Sequence, residues 1–155
     1  MSDTNETEAA IRAYAPMVYR LCYAQTRCKS DADDVFQEVF LRYVRAKPRF
    51  QSEEHRKAWL LRVSVNCLKK HAASAWMRKT VPLDEALPSP QPEESGLAEA
   101  LGTLPQRYLA AVHLYYYEGL STEQIAGILG VRPSAVRTRL TRARRMLQEI
   151  LKEEA

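Results

Sequence analysis

An all-α fold, with two small helical domains joined by a flexible Pro-rich linker, is predicted by three observations. Apolar residues recur at helical spacing in both halves, as in Ile11, Tyr14, Met17, Val18, Leu21 and Cys22, and again in Val136, Leu140, Ala143 and Leu147. Residues 80–96 are acidic and aromatic-free and contain Pro82, Pro88, Pro90 and Pro92, the composition of a tether rather than of a packed element. Charge also changes sign by segment. Residues 1–79 hold 15 basic and 9 acidic side chains, a net +6, residues 80–96 carry −4 and residues 97–155 carry +2. Two basic blocks, 1–79 and 97–155, are therefore separated by an acidic leash at 80–96.

Composition narrows the class further. With 155 residues, 46% of them hydrophobic, the chain can bury one core or two small ones. No apolar run approaches the ~20 residues of a membrane-spanning helix, and Met1 to Ala10 is polar and acidic, unlike a signal peptide. No membrane insertion is expected. Cys22, Cys28 and Cys67 are odd in number and lack metal or redox spacing, so free buried thiols in a reducing, cytoplasmic setting are the expectation.

The first helix is predicted over about residues 6–28, with Pro16 kinking or dividing it, because proline removes a backbone donor and crowds the preceding turn. The second is predicted over about residues 31–46. Ser30 is its expected cap, and Asp31, Asp33 and Asp34 suit the positive end of the helix dipole. That role is preferred to metal binding, since no His or Cys converges nearby. Val35, Phe36, Val39, Phe40, Tyr43 and Val44 form its apolar face, while Asp34, Gln37, Glu38 and Arg42 lie opposite with Leu41 among them. Leu41 is either an ordinary exposed leucine or the apolar centre of a protein-binding patch with a polar rim.

Pro48 is expected to end that helix, and Ser52 with Glu53 and Glu54 to open the next. The intervening loop presents Arg49, Phe50, Gln51 and Ser52. The third helix, about residues 55–77, buries Leu60, Leu61, Val63, Val65, Cys67 and Leu68 and turns Trp59, Arg62, Asn66, Lys69 and Lys70 the other way. A tryptophan is usually core. Beside Arg, Asn and Lys it also fits a surface that stacks on a base or grips a single strand.

In the second half, Leu97, Leu101 and Leu104 begin a helix before Pro105, and Tyr108, Leu109, Val112, Leu114 and Tyr115 build the next. The run Tyr115-Tyr116-Tyr117 reads as core and domain surface. His55, His71 and His113 lack ligand spacing, so no metal or catalytic role is expected of them. Ser121 and Gln124 then form a capping box, Gly130 is placed to end a short helix in the left-handed conformation, and Ser134 is the expected cap of a second helix after a three-residue turn. Two helices joined so tightly are a helix-turn-helix, whose second helix normally enters the DNA major groove. Arg137, Thr138, Thr141, Arg142 and Arg145 cover the side opposite the apolar stripe, with Arg139 and Arg144 on its flanks. A solvated basic face is the bland alternative. Five arginines without an acid between Ser134 and Leu147 favour phosphate and guanine contact instead.

These motifs in this order resemble the extracytoplasmic-function (ECF) group of the sigma-70 family of bacterial RNA polymerase sigma factors. The matching residues run from Asp31 through Asp34, Val35, Phe36, Gln37 and Glu38 to Phe40, and from Ala58-Trp59 to Asn66. In the second half they are Leu104-Pro105-Gln106-Arg107, Tyr116 to Ser121, and Val136-Arg137-Thr138-Arg139-Leu140-Thr141-Arg142-Ala143-Arg144. The resemblance implies a region-two helical bundle at 1–79 and a region-four helix-turn-helix at 97–155. It implies that Asp34, Gln37, Glu38 and Leu41 dock on the β′ clamp coiled coil of core RNA polymerase, with the β flap a further contact. It implies that Arg49 to Ser52 capture a flipped base of the minus-ten element, that Trp59, Arg62, Asn66, Lys69 and Lys70 hold the surrounding promoter DNA, and that Arg137, Thr138, Arg139, Thr141, Arg142 and Arg145 read the minus-thirty-five element. An anti-sigma partner is implied as well, and no cofactor. The chain departs from the family pattern at Lys70, where an acid is common, at Ala73, where Arg is common, and at Ala135, where Thr is common. A helix-turn-helix regulator working without polymerase explains only the second half. An enzyme is the weakest reading, as no nucleophile–base or paired-carboxylate arrangement is apparent.

Overall fold

The structure, a computed structural model, describes residues 2–77 and 100–154. The chain divides into two compact units, Met1–Leu87 and Pro88–Ala155. The acidic Pro-rich stretch at 80–96 lies outside the described residues.

The first unit is built from α1 (Ser2–Thr26), α2 (Lys29–Ala46) and α3 (Glu53–Met77), each packed on the other two. Its core follows the helical periodicity: Val18, Leu21 and Cys22 from α1 meet Val35, Val39 and Phe40 from α2 and Leu60, Leu61, Val65 and Leu68 from α3. Ser64 is fully buried among them and is satisfied locally, its hydroxyl donating to the Leu60 carbonyl at 2.7 Å.

Several boundaries differ from the sequence expectation. Pro16 does not divide α1, which runs through it. Pro16 and Arg12, whose carbonyl loses its helical donor, belong to the exposed side, so water can take the vacated bond, while Met17 and Val18 hold the helix to its neighbours. α2 starts two residues earlier than Ser30 would set it. Cys28 occupies the cap position without a side-chain hydrogen bond, and the Ser30 hydroxyl instead approaches the Cys28 thiol at 3.3 Å. Only Asp31 then falls in the first turn. The helix ends at Lys47, which takes the left-handed conformation (φ 45°, ψ 54°), one residue before Pro48. Ser52 does open α3: its hydroxyl accepts from the His55 N–H at 3.1 Å.

In the second unit residues 100–102 are helical, followed by α4 (Gln106–Val112), a π-helical turn (His113–Tyr117), α5 (Thr122–Leu129) and α6 (Pro133–Glu154). α4 and α5 both pack on α6. Leu109, Val112, Leu114, Ile125, Ile128, Val136, Leu140 and Ala143 form the core. The π-turn is closed by the Glu118 N–H donating to the His113 carbonyl at 3.1 Å. It is also held by the buried pair of His113 Nε2 and Glu118 Oε2, 3.3 Å apart, so His113 has a structural task. The capping box at Ser121 and Gln124 forms in both directions, and Gly130 ends α5 at φ 71°. Ser134 is not the cap of α6. Pro133 takes the first helical position, which its fixed φ and missing N–H suit, and the Arg132 carbonyl accepts from Ala135 and Val136.

Candidate polymerase and promoter interfaces

On α2, the i, i+3, i+4, i+7 spacing of Asp34, Gln37, Glu38 and Leu41 puts them on one stripe. Asp34 and Gln37 are exposed, Leu41 is 44% exposed, and Val44, expected on the core face, is 45% exposed one turn beyond it. The apolar centre of the patch is therefore Leu41 with Val44, and the sequence reading missed the second. The Glu38 carboxylate accepts from Arg42 Nε at 2.9 Å. That bond, with the positive charges of Arg42, Arg45 and Lys70, holds its pKa below the usual glutamate value.

The loop between α2 and α3 is pinned by aromatic packing. Phe50 stacks parallel to Tyr43, with ring centroids 6.4 Å apart, and Trp59 meets both edge-on at 5.7 and 5.9 Å. Arg56 lies 4.9 Å over the Phe50 ring, and its guanidinium donates to the Tyr43 hydroxyl. Phe50 and Trp59 are thus half-buried and brace the loop, rather than standing free on its surface. The Ser52 hydroxyl is committed to capping α3. Arg49 and Gln51 are exposed with side chains not engaged in that packing, and Ser52 is exposed beside them. Tyr43, His55 and Arg56 support it without having been singled out. Only the aromatic spacing of Tyr43, Phe50 and Trp59 could have hinted at the cluster.

Along α3, Arg62, Asn66 and Lys69 are exposed opposite Leu61, Ser64, Val65 and Leu68. Lys70 is exposed too but sits on the flank facing α2. There it lines a groove of about 260 Å³ with Asp34, Val35, Glu38, Arg42, Cys67, His71 and Ser74. His71 Nε2 is 3.3 Å from an Asp31 carboxylate oxygen, within ion-pair distance though out of line for a hydrogen bond. The expected stripe therefore separates into a face (Arg62, Asn66, Lys69) and a flank (Trp59, Lys70).

On α6, Arg137, Thr138, Thr141, Arg142 and Arg145 are exposed and Arg139 is half-buried. The preceding segment holds two arginines of this helix. Arg144 Nε donates to the Tyr116 hydroxyl at 2.6 Å, and its guanidinium lies 5.9 and 5.5 Å over the Tyr115 and Tyr116 rings. The nearby guanidinium groups of Arg142 and then Arg107 hold the Tyr108 hydroxyl below its usual pKa. Tyr115, expected in the core, is exposed with Tyr116 and Tyr117. Among the described residues no group of three or more His, Cys, Asp or Glu could hold a metal ion, and no helix is long and apolar enough to cross a membrane.

Residues 10–78 match the family model for Sigma-70 region 2, and residues 96–147 that for Sigma-70 region 4. The chain is 33% identical over 154 residues to the ECF RNA polymerase sigma factor SigE of Mycolicibacterium smegmatis, covering 91% of this chain and 60% of that protein's length. It is 30% identical over 145 residues to the ECF RNA polymerase sigma factor SigM of Mycobacterium tuberculosis (90% and 74% covered). It is 29% identical over 141 residues to the RNA polymerase sigma factor SigV of Bacillus subtilis (88% and 85% covered). In fold it is similar to the sigma factor RpoE of Bartonella quintana, solved with the anti-sigma factor NepR, at a TM-score of 0.75 and 22% identity over 95% of this chain and 97% of that one. It is also similar to CnrH, solved with the cytosolic domain of CnrY, at a TM-score of 0.72 and 21% identity over 98% and 91%. Both sigma-70 regions being present in order, on helices whose exposed faces are polar and basic, the chain belongs to the ECF group of the sigma-70 family of RNA polymerase sigma factors.

Proposed function

We propose that this chain is a cytoplasmic initiation subunit that binds core RNA polymerase and directs it to promoters by recognising minus-thirty-five and minus-ten elements. The observation that carries the reading is the presence of both sigma-70 regions on one chain, each with its own exposed face. Asp34, Gln37, Glu38 and Leu41 dock on the β′ clamp coiled coil, and region four meets the β flap. Arg137, Thr138, Arg139, Thr141, Arg142 and Arg145 read the minus-thirty-five duplex, where each well-placed Arg–guanine pair discriminates by about 1–3 kcal/mol. Arg49 and Gln51, on a loop stiffened by Phe50, Ser52 and Trp59, meet the flipped minus-ten base, and Arg62, Asn66 and Lys69 hold the strand beside it.

Extruding a base costs a few kcal/mol of unstacking, which its pocket offsets in part. The sequence contains no Gly-rich phosphate loop to couple ATP hydrolysis to opening. The free energy for strand separation then comes from binding summed over two DNA contacts and the polymerase. The protein acts by binding, without a cofactor or chemistry of its own. Exposed Leu41 and Val44 also suit an anti-sigma partner that occludes the docking patch. A regulator acting without polymerase leaves the region-two unit without a use. The test is capture of purified core polymerase by the tagged chain, followed by run-off transcription on a genomic promoter library. Retention of the core and new start sites are expected. Duplex binding without core association would leave only a helix-turn-helix regulator.

A further inference from the structure

Lys70 departs from the family pattern and from its own helix stripe. Arg62, Asn66 and Lys69 point away from the bundle, whereas Lys70 borders the groove between α2 and α3 with Asp34, Glu38 and Arg42. Buried Val35 and Cys67 line it, as do His71 and Ser74. Its volume of about 260 Å³ exceeds that of several waters at roughly 30 Å³ each, enough to admit one inserted side chain. Within it Glu38 is already taken by Arg42 at 2.9 Å. Among the described residues Lys70 forms no ion pair. The Lys70 ammonium is therefore fixed by no ion pair and acts on Glu38 and Cys67 only through space, while Asp34 remains exposed on the other side.

We propose that Lys70 is a polymerase-docking residue rather than a promoter contact, and that the groove takes a carboxylate side chain of the core enzyme against Lys70 while Asp34 meets a basic one. The partner segment must then carry an acidic and a basic residue about one groove-width apart, so the docking site has a charge polarity beyond an apolar contact at Leu41. The inference rests on the docking role proposed for Asp34, Gln37, Glu38 and Leu41.

The test uses the full chain, its Lys70→Glu and Lys70→Ala variants, and Leu41→Ala and Arg62→Ala as references. Affinity for core polymerase is measured by fluorescence anisotropy of labelled protein. Affinity for a pre-opened bubble template is measured at saturating core, with its dependence on salt. Lys70→Glu should weaken core binding about tenfold and Lys70→Ala less, as expected for removing and then reversing an interfacial charge. At saturating core both should bind the bubble within twofold of the parent with the same salt slope, whereas Arg62→Ala should lower that slope by about 1, as loss of a phosphate contact does. In amine-acetylation footprinting of the unmutated protein, Lys70 should be protected by core polymerase alone. Unchanged core affinity for Lys70→Glu, or a lowered bubble affinity or salt slope at saturating core, overturns the proposal, as does Lys70 left reactive in the holoenzyme. If Leu41→Ala also leaves core binding unchanged, the docking reading itself is what has failed.

Discussion

Arg142 and Arg144 stand two positions apart on α6 and face opposite flanks, one toward Tyr108 and the other against Tyr115 and Tyr116. Helical periodicity assigns each arginine a side, but not the partner it finds. Tyr116 is 28 residues from Arg144 in sequence, and nothing local announces the bond. Arg145 and Arg142 are both exposed on α6, and with the duplex contact proposed for them, replacing both by Ala should weaken duplex binding at least ~30-fold, at 1–3 kcal/mol per residue. Core-polymerase affinity, measured by anisotropy, should stay within twofold. Loss of core binding in that variant would contradict the division of labour between the units. Glu38 gives a pH prediction. Its pKa is lowered in the fold by the Arg42 bond, so the stabilisation is present above the unfolded glutamate value and lost as pH falls through the folded one. Both side chains are more than a third exposed, so solvent screening keeps the effect below about 1 kcal/mol. Melting of Glu38→Gln against the parent should differ slightly at pH 7 and converge in acid. A difference that persists unchanged at pH 3 would refute the ion-pair account.

The helices themselves were largely legible from their apolar spacing, and their ends only where a side chain makes the cap. Ser121–Gln124, Gly130 and Ser52 act where the sequence puts them. Ser30 and Ser134 do not, because a backbone start is available two residues earlier in each case, at Cys28 and at Arg132 before Pro133. Pro16 shows the same limit from the other side: tertiary packing of Met17, Val18 and Leu21 outweighs one lost hydrogen bond. The exposure of the candidate site residues was legible in the same measure. Exposed Asp34, Gln37 and Leu41 follow from period alone, whereas the commitment of Phe50 and Trp59 to Tyr43 depends on how α2 and α3 meet. Gly130→Ala tests the turn of the helix-turn-helix. No atom lies within 4 Å of a Cβ built there, yet φ is 71°, so the whole cost is conformational, roughly 1–2 kcal/mol. For a domain this small that is a fall in Tm of at least about 4 °C, readable by circular dichroism. An unchanged Tm would show that the turn relaxes freely. Ser121→Ala should cost about 1 kcal/mol by removing the cap.

At the scale of the whole molecule, the proposed function needs both compact units on one chain. Linked binding raises the effective concentration of the second contact to the millimolar range when the leash can span both sites, so each unit alone should bind promoter DNA far more weakly than the intact holoenzyme. Limited proteolysis should cut first between residues 80 and 96, where composition resists packing. Initial cleavage inside α3 or α6 would contradict that organisation. If binding alone opens the promoter, the unpaired thymines it exposes become reactive to permanganate. On a linear fragment carrying a promoter mapped with this protein, holoenzyme should make thymines around the minus-ten element reactive without any nucleotide. A bound holoenzyme that leaves those thymines unreactive until ATP is hydrolysed would contradict the account.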